Sequence, residues 1–452
     1  MSAKLHSARA RFVDAAFWHG RLAAANAILA ANPELASSDI HIAAMLGDDA
    51  AVRRFVAEDP TLASAKGGPR DVDPLISLCF SCYLRDDHAR SDGFVRAATA
   101  LLDAGADPNT GFWDESHLPQ REWESALYGA AGIAFHAGVT RLLLARGADP
   151  NDNEVPYHSP ETRDNEAFRL LLESGRLTDA SLNTMLLRKT DWHDLEGVQL
   201  VLDHGADVNR MSIWGKTALH NAILSDNRLG IIELLLDRGA DPSIVARDLR
   251  HGGDFRAGRS SIALAARRGR ADVLAAIERR GYAVTLEGVD GLIAACTRGN
   301  GAAARELAGR EAALVAEVLA EGGTLLAEFA GTGNAAGVAL LIDLGVPVDA
   351  RYLGDPYMGI AKESTALHVA AWRMSHEVLE LLIARGANVN VMDGKGRTPL
   401  MLAVKACVDS FWAERRSPRA VKALLAAGAD PASAPYPSGY AEVDALLKSR
   451  AG

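Results

Sequence analysis

Cysteine is scarce in this chain: Cys79, Cys82, Cys296 and Cys407 are the only four among 452 residues. That is too few for a disulfide framework at this length, so a hydrophobic core must hold the fold, and a reducing compartment fits. Blocks of positive charge are missing too. Lys and Arg total 48 against 58 Asp and Glu, a formal net charge of −10. Affinity for nucleic acid or anionic lipid through counterion release needs a concentrated basic face, so neither is expected as a partner. No stretch of about 18 uninterrupted apolar residues occurs, and the N-terminus carries no apolar segment ahead of a small-residue cleavage site. Lys4, Arg9 and Arg11 precede any acid, as in a transit peptide, but the same residues open a first helix, and a cytoplasmic location is expected. Catalytic signatures are absent as well: there is no Gly-x-Ser-x-Gly, no His-Glu-x-x-His and no EF-hand loop. What the chain does have is 48% apolar and 23% charged residues, enough to bury a large core.

It also repeats itself. An apolar run ending in Gly-Ala-Asp/Asn recurs at Leu101–Asn109, Leu142–Asn151, Leu200–Asn209, Leu234–Ser243, Leu381–Asn390 and Leu424–Ala432. Its glycines, Gly105, Gly147, Gly205, Gly239, Gly386 and Gly428, are 42, 58, 34, 147 and 42 residues apart. The apolar run reads as the buried stripe of a helix, and the glycine as the left-handed residue that ends it. Upstream lies a second phrase, a Thr, Ser or Asp followed by Ala or Pro: Thr217-Ala-Leu-His220, Thr365-Ala-Leu-His368, Thr398-Pro-Leu-Met401, Ser125-Ala-Leu-Tyr128 and Asp73-Pro-Leu-Ile76. Each is an N-cap before a good first helical residue. The unit is turn, helix, turn, helix.

This unit resembles the ankyrin repeat, with its Thr-Pro-Leu-His-x-Ala-Ala start and Gly-Ala-Asp-x-Asn end. Ser364–Asn390 carries the pattern most fully, and Ser260–Gly281 and Thr324–Gly345 carry weaker copies. The resemblance covers nearly the whole chain with about twelve repeats of roughly 33 residues, several degenerate. It implies an all-α solenoid over residues 1–452, with β-turn fingers lining a concave groove. Residues 1–72 read as degenerate N-terminal capping repeats, 73–286 as central repeats with long finger insertions, 287–433 as C-terminal repeats and 434–452 as a C-terminal cap. It further implies a protein or peptide partner in the groove, since ankyrin repeats mostly act by binding proteins. Insertions depart from the pattern at Cys82–Phe94, Thr110–Glu124, Ala246–Arg259, Arg351–Glu363 and Lys405–Arg419.

The candidate site residues lie in the middle fingers. Phe112, Trp113, Glu115, His117 and Trp123 follow Asn109, Tyr157 and His158 follow Asn151, and Met211 and Trp214 follow Asn209. Rings interleaved with carboxylates and imidazoles supply anchoring area and hydrogen bonds together, as binding sites require. A competing reading makes the same groove a small-molecule or enzymatic site, with Glu115, His117, Tyr157 and His158 as acid/base and orienting groups. His193, between Asp191 and Asp194, is a further acid/base candidate, although Asp194 also reads as the cap of the helix after it. His220 and His368 stand at the position that is structural in the ankyrin family. Cys79 and Cys82 have the spacing of half a zinc site, but no second pair completes it, so no metal and no cofactor are expected.

Overall fold

The computed structural model describes residues 3–68, 70–116, 118–247, 258–410 and 413–450. Thr217 shows how the start phrase makes a helix. The His220 amide donates to its hydroxyl, while the Thr217 amide donates to the His220 ring at 3.3 Å, closing a capping box on the helix Ala218–Leu224. Thr365 and His368 do the same for Ala366–Arg373, and the His368 ring reaches on to the Arg397 carbonyl at 3.0 Å. Ser125 and Asp73 accept from the Tyr128 and Ile76 amides and so start Ala126–Tyr128 and Pro74–Cys79. At the other end of the unit, Gly105 and Gly147 take φ of 101° and 96°, a left-handed turn that a Cβ would resist.

The apolar runs between these signals form the core. Leu101, Leu143, Val201, Leu235, Leu382 and Leu424 are all 0% exposed, and burying such a side chain stabilises by roughly 1.5–3 kcal/mol. The described chain divides into two compact units, Met1–Ile213 with Asp237–Gly239, and Trp214–Leu236 with Ala240–Gly452. In the first, the leading helices Ile40–Met45, Pro74–Cys79, Ala126–Tyr128, Glu154–His158 and Asp179–Asp191 stack in order. The following helices Asp49–Glu58, Ser91–Asp103, Ala137–Ala145, Glu166–Glu173 and Leu195–Asp203 form the second row. In the second unit, Ala218–Leu224, Ser261–Arg267 and Gly288–Thr297 stack in order, as do Gly322–Thr332, Ala366–Arg373 and Pro399–Val408. An additional helix, Ala312–Ala320, lies between the two runs in the chain.

Each unit also buries charge, and pairs it. In the first, the fully buried Lys189 ammonium donates to Asp194 at 2.8 Å, Asn165 at 2.6 Å and the Thr162 carbonyl at 2.7 Å. In the second, Arg268 forks onto Asp226 and meets Glu328 at 2.6 Å; Tyr352 donates to Glu328 at 3.0 Å, and Arg373 also pairs with Asp226. Satisfied in this way, buried ions fix which helices face each other. Cys79 and Cys82 are buried unpaired thiols. Burial pushes the Cys79 thiol well up, with the Asp73 carboxylate adding to it, and raises Cys82 to about 11.

One sheet breaks the helical pattern among the described residues. β1 (Gly111–Asp114) pairs antiparallel with β2 (Glu122–Ser125), Asp114 opposite Glu122, Trp113 opposite Trp123 and Phe112 opposite Glu124. The insertion Thr110–Glu124 is thus a hairpin finger rather than an irregular loop. Side chains alternate across a strand, so Phe112, Asp114, Glu122 and Glu124 share one face and the two tryptophans the other.

Candidate functional site

The hairpin is seated by its phenylalanine. Phe112 packs on Phe80, Trp18 and Phe17 with ring centroids 5.2, 5.7 and 5.9 Å away. This aromatic base sets the carboxylates of that face against the body of the first unit. On the opposite face Trp113 meets Trp123 edge-on at 5.1 Å and remains 56% exposed. A Cβ at Gly111 would lie 2.6 Å from the Trp123 ring, so only glycine lets the indole lie over β1. Across the hairpin mouth Arg121 pairs with Glu115 at 2.8 Å, both exposed. His117 lies outside the described residues.

Beneath the finger stands His158, on the helix Glu154–His158. Its Nε2 is 3.2 Å from Glu154 and its Nδ1 3.2 Å from Glu161, and its ring touches Tyr128 and Tyr157. Burial disfavours the imidazolium, but the two carboxylates outweigh it and raise His158 to about 9. Glu161 is shared with Arg188, whose guanidinium lies over the Tyr157 ring at 4.2 Å and donates to Asp191 at 2.7 Å. Burial pushes Asp152, which caps the Val155 amide, up to about 6. Glu124 rises further, to about 8, from burial first and then from the charges of Glu154, Asp114 and Glu122.

The structure therefore brings together Phe112, Trp113, Trp123, Tyr157 and His158 in the first unit. Glu115 is instead turned to solvent with Arg121. Met211 belongs to the first unit and Trp214 to the second, each half-buried. His193 sits at the left-handed turn (φ 51°) between the helices Asp179–Asp191 and Leu195–Asp203, where Asp194 accepts the Gly197 amide at 3.0 Å. Sequence reading misses Glu122, Glu124, Tyr128, Glu161 and Arg188. The alternation Glu122-Trp123-Glu124, a strand period, is the one signal that could have found the first two.

Among the described residues no helix is long and apolar enough to cross a membrane. The family model for ankyrin repeats (3 copies) matches residues 162–246, 292–393 and 352–434. A stretch of 170 residues, 34% of this chain, is 29% identical to an L-asparaginase of Dirofilaria immitis and covers 26% of it. Another of 113 residues, 24% of this chain, is 34% identical to ankyrin repeat protein FPV219 of fowlpox virus (strain NVSL) and again covers 26%. The chain thus spans about a quarter of the length of these curated relatives. The solved human ASB11 ankyrin repeat domain aligns at 24% identity over 54% of this chain and 98% of that one, with a TM-score of 0.24. With the repeat model matching half of its length, and helix pairs capped by Thr-x-Leu-His and closed by glycine, the chain belongs to the ankyrin repeat family, whose repeats generally mediate protein–protein interaction.

Proposed function

We propose that the chain is a non-enzymatic interaction protein that seats a basic protein segment on the hairpin finger of its first unit. One observation carries the reading: Trp113, more than half exposed, is braced edge-on by Trp123 on a strand pair whose own base is buried. A rigid exposed indole is the kind of anchor in which interface energy concentrates. The exposed Glu115 lies two residues from it in a chain of net charge −10, which favours a cationic partner by electrostatic complementarity. Acid/base chemistry by Glu115, His117, Tyr157 and His158 is the weaker reading, because both His158 ring nitrogens already face carboxylates and Glu115 is paired with Arg121.

The test is capture of the partner from a source lysate by the purified chain, followed by affinity measurement with wild type, Trp113→Ala and Trp123→Ala. Trp113→Ala is expected to weaken binding by about 2 kcal/mol, roughly 30-fold, with the helical circular dichroism unchanged. Equal affinity in all three proteins removes the hairpin as the docking surface.

A further inference from the structure

The inner face of the hairpin carries more negative charge than its surroundings neutralise. Register sets Asp114 directly opposite Glu122, and alternation adds Glu124 on the same face. Like charges directly opposite on a strand pair oppose pairing. Carboxylate oxygens of the three residues lie within 4.8 Å of one another. Glu124 is only 2% exposed, and its Oε2 is buried without a hydrogen-bond partner. The neighbouring cations are committed elsewhere: Arg121 to Glu115, His158 to Glu154 and Glu161, Arg188 to Glu161 and Asp191. Among the described residues the Ser116 hydroxyl donates to Asp114, and His158, already committed to Glu154 and Glu161, eases Glu124 only through space.

From the convergence of three carboxylates, one of them the buried Glu124 with an unpartnered oxygen, we propose that Asp114, Glu122 and Glu124 bind a hard divalent cation, Ca²⁺ in preference to Mg²⁺ or Zn²⁺. A donor set of oxygens alone, without His or Cys, selects a hard ion. Three protein carboxylates suit Ca²⁺, which takes about six to eight oxygens in a flexible sphere, whereas Mg²⁺ demands a near-ideal octahedron, keeps most of its waters and is usually held by only one or two carboxylates. Water would complete the sphere from the side of the half-buried Asp114 and Glu122. The cation would tie β1 to β2 beside the loop that joins them and so steady the strands that hold the tryptophan pair. This goes beyond the docking reading and does not depend on it, since cation binding is measured with no partner present.

Trp113 and Trp123 flank the site in sequence and serve as reporters. The full chain, stripped with chelator, is titrated with Tb³⁺ under indole excitation, then with Ca²⁺ and Mg²⁺ as competitors, and its thermal midpoint is followed with and without Ca²⁺. The proposal expects one saturable Tb³⁺ site, displaced at least tenfold more effectively by Ca²⁺ than by Mg²⁺, and a Ca²⁺-dependent rise in the midpoint. Asp114→Asn and Glu122→Gln should each weaken binding about tenfold or more, and Glu124→Gln should remove both the sensitised emission and the Ca²⁺-dependent midpoint shift. Asp179→Asn, on an exposed surface acid, should behave as wild type. Should Glu124→Gln lose its helical signal, the two more exposed positions decide the matter. Absence of saturable binding, or binding that survives in Asp114→Asn and Glu122→Gln, overturns it.

Discussion

Lys189 shows how a residue's chemistry is set by its surroundings. Burial alone lowers its pKa, and Asp194 opposes that fall; the same contact draws the Asp194 pKa down against its own burial. Gly197 makes room for the pair, because a Cβ there would lie 2.4 Å from the Lys189 stem. Removing one partner of a buried ion pair strands the other charge, which costs about 3–5 kcal/mol. Lys189→Ala is therefore expected to destabilise the first unit by that order, read as a fall in its urea midpoint. A variant that melts like wild type would mean that Asp194 is neutral or reached by water. In sequence, Asp194 reads as a helix cap, and it does cap Leu195–Asp203. Its ammonium partner was not legible, because Thr162 and Asn165, which complete the ammonium's shell, come from a different helix pair and meet Lys189 only through stacking.

At the scale of elements, the repeat phrases were fully readable and the hairpin was not. A Thr or Ser cap, an apolar stripe and a left-handed glycine act over a few residues, so the sequence pattern carries them. The Thr110–Glu124 finger has only two four-residue strands, and its pairing rests on Phe112 finding Phe80 and the Phe17–Trp18 pair from two distant segments. Gly111→Ala tests the register. The new methyl would lie 2.6 Å from the Trp123 ring and 2.7 Å from the Glu124 carbonyl, so the hairpin must open at a cost of about 1–3 kcal/mol. The expected result is loss of the Trp113–Trp123 exciton signal in circular dichroism with the helical bands intact. An undiminished couplet would mean that the indole does not lie over Gly111.

At the scale of the whole chain, the helices of the first unit pack in order on those of the next repeat, so its stability is expected to spread as a sum of local terms instead of one all-or-none transition. Deleting Ser364–Gly452 removes Arg373 but leaves Asp226 its fork from Arg268. The fragment is expected to remain helical, with hydrogen-exchange protection in the first unit equal to that of the full chain; collapse of that protection would contradict linear stacking. By itself the sequence determined the repeat, the helix boundaries and the apolar stripes, because caps, glycine turns and period 3.6 are short-range matters of backbone sterics and hydrogen bonding. Tertiary structure alone decided which charges are buried and paired, and which carboxylates face one another across β1 and β2. The field of Glu154 reaches Glu124 only when stacking brings two repeats together, and that of Asp114 only when β1 pairs with β2, since Coulomb energy and desolvation follow distance in space and not separation along the chain.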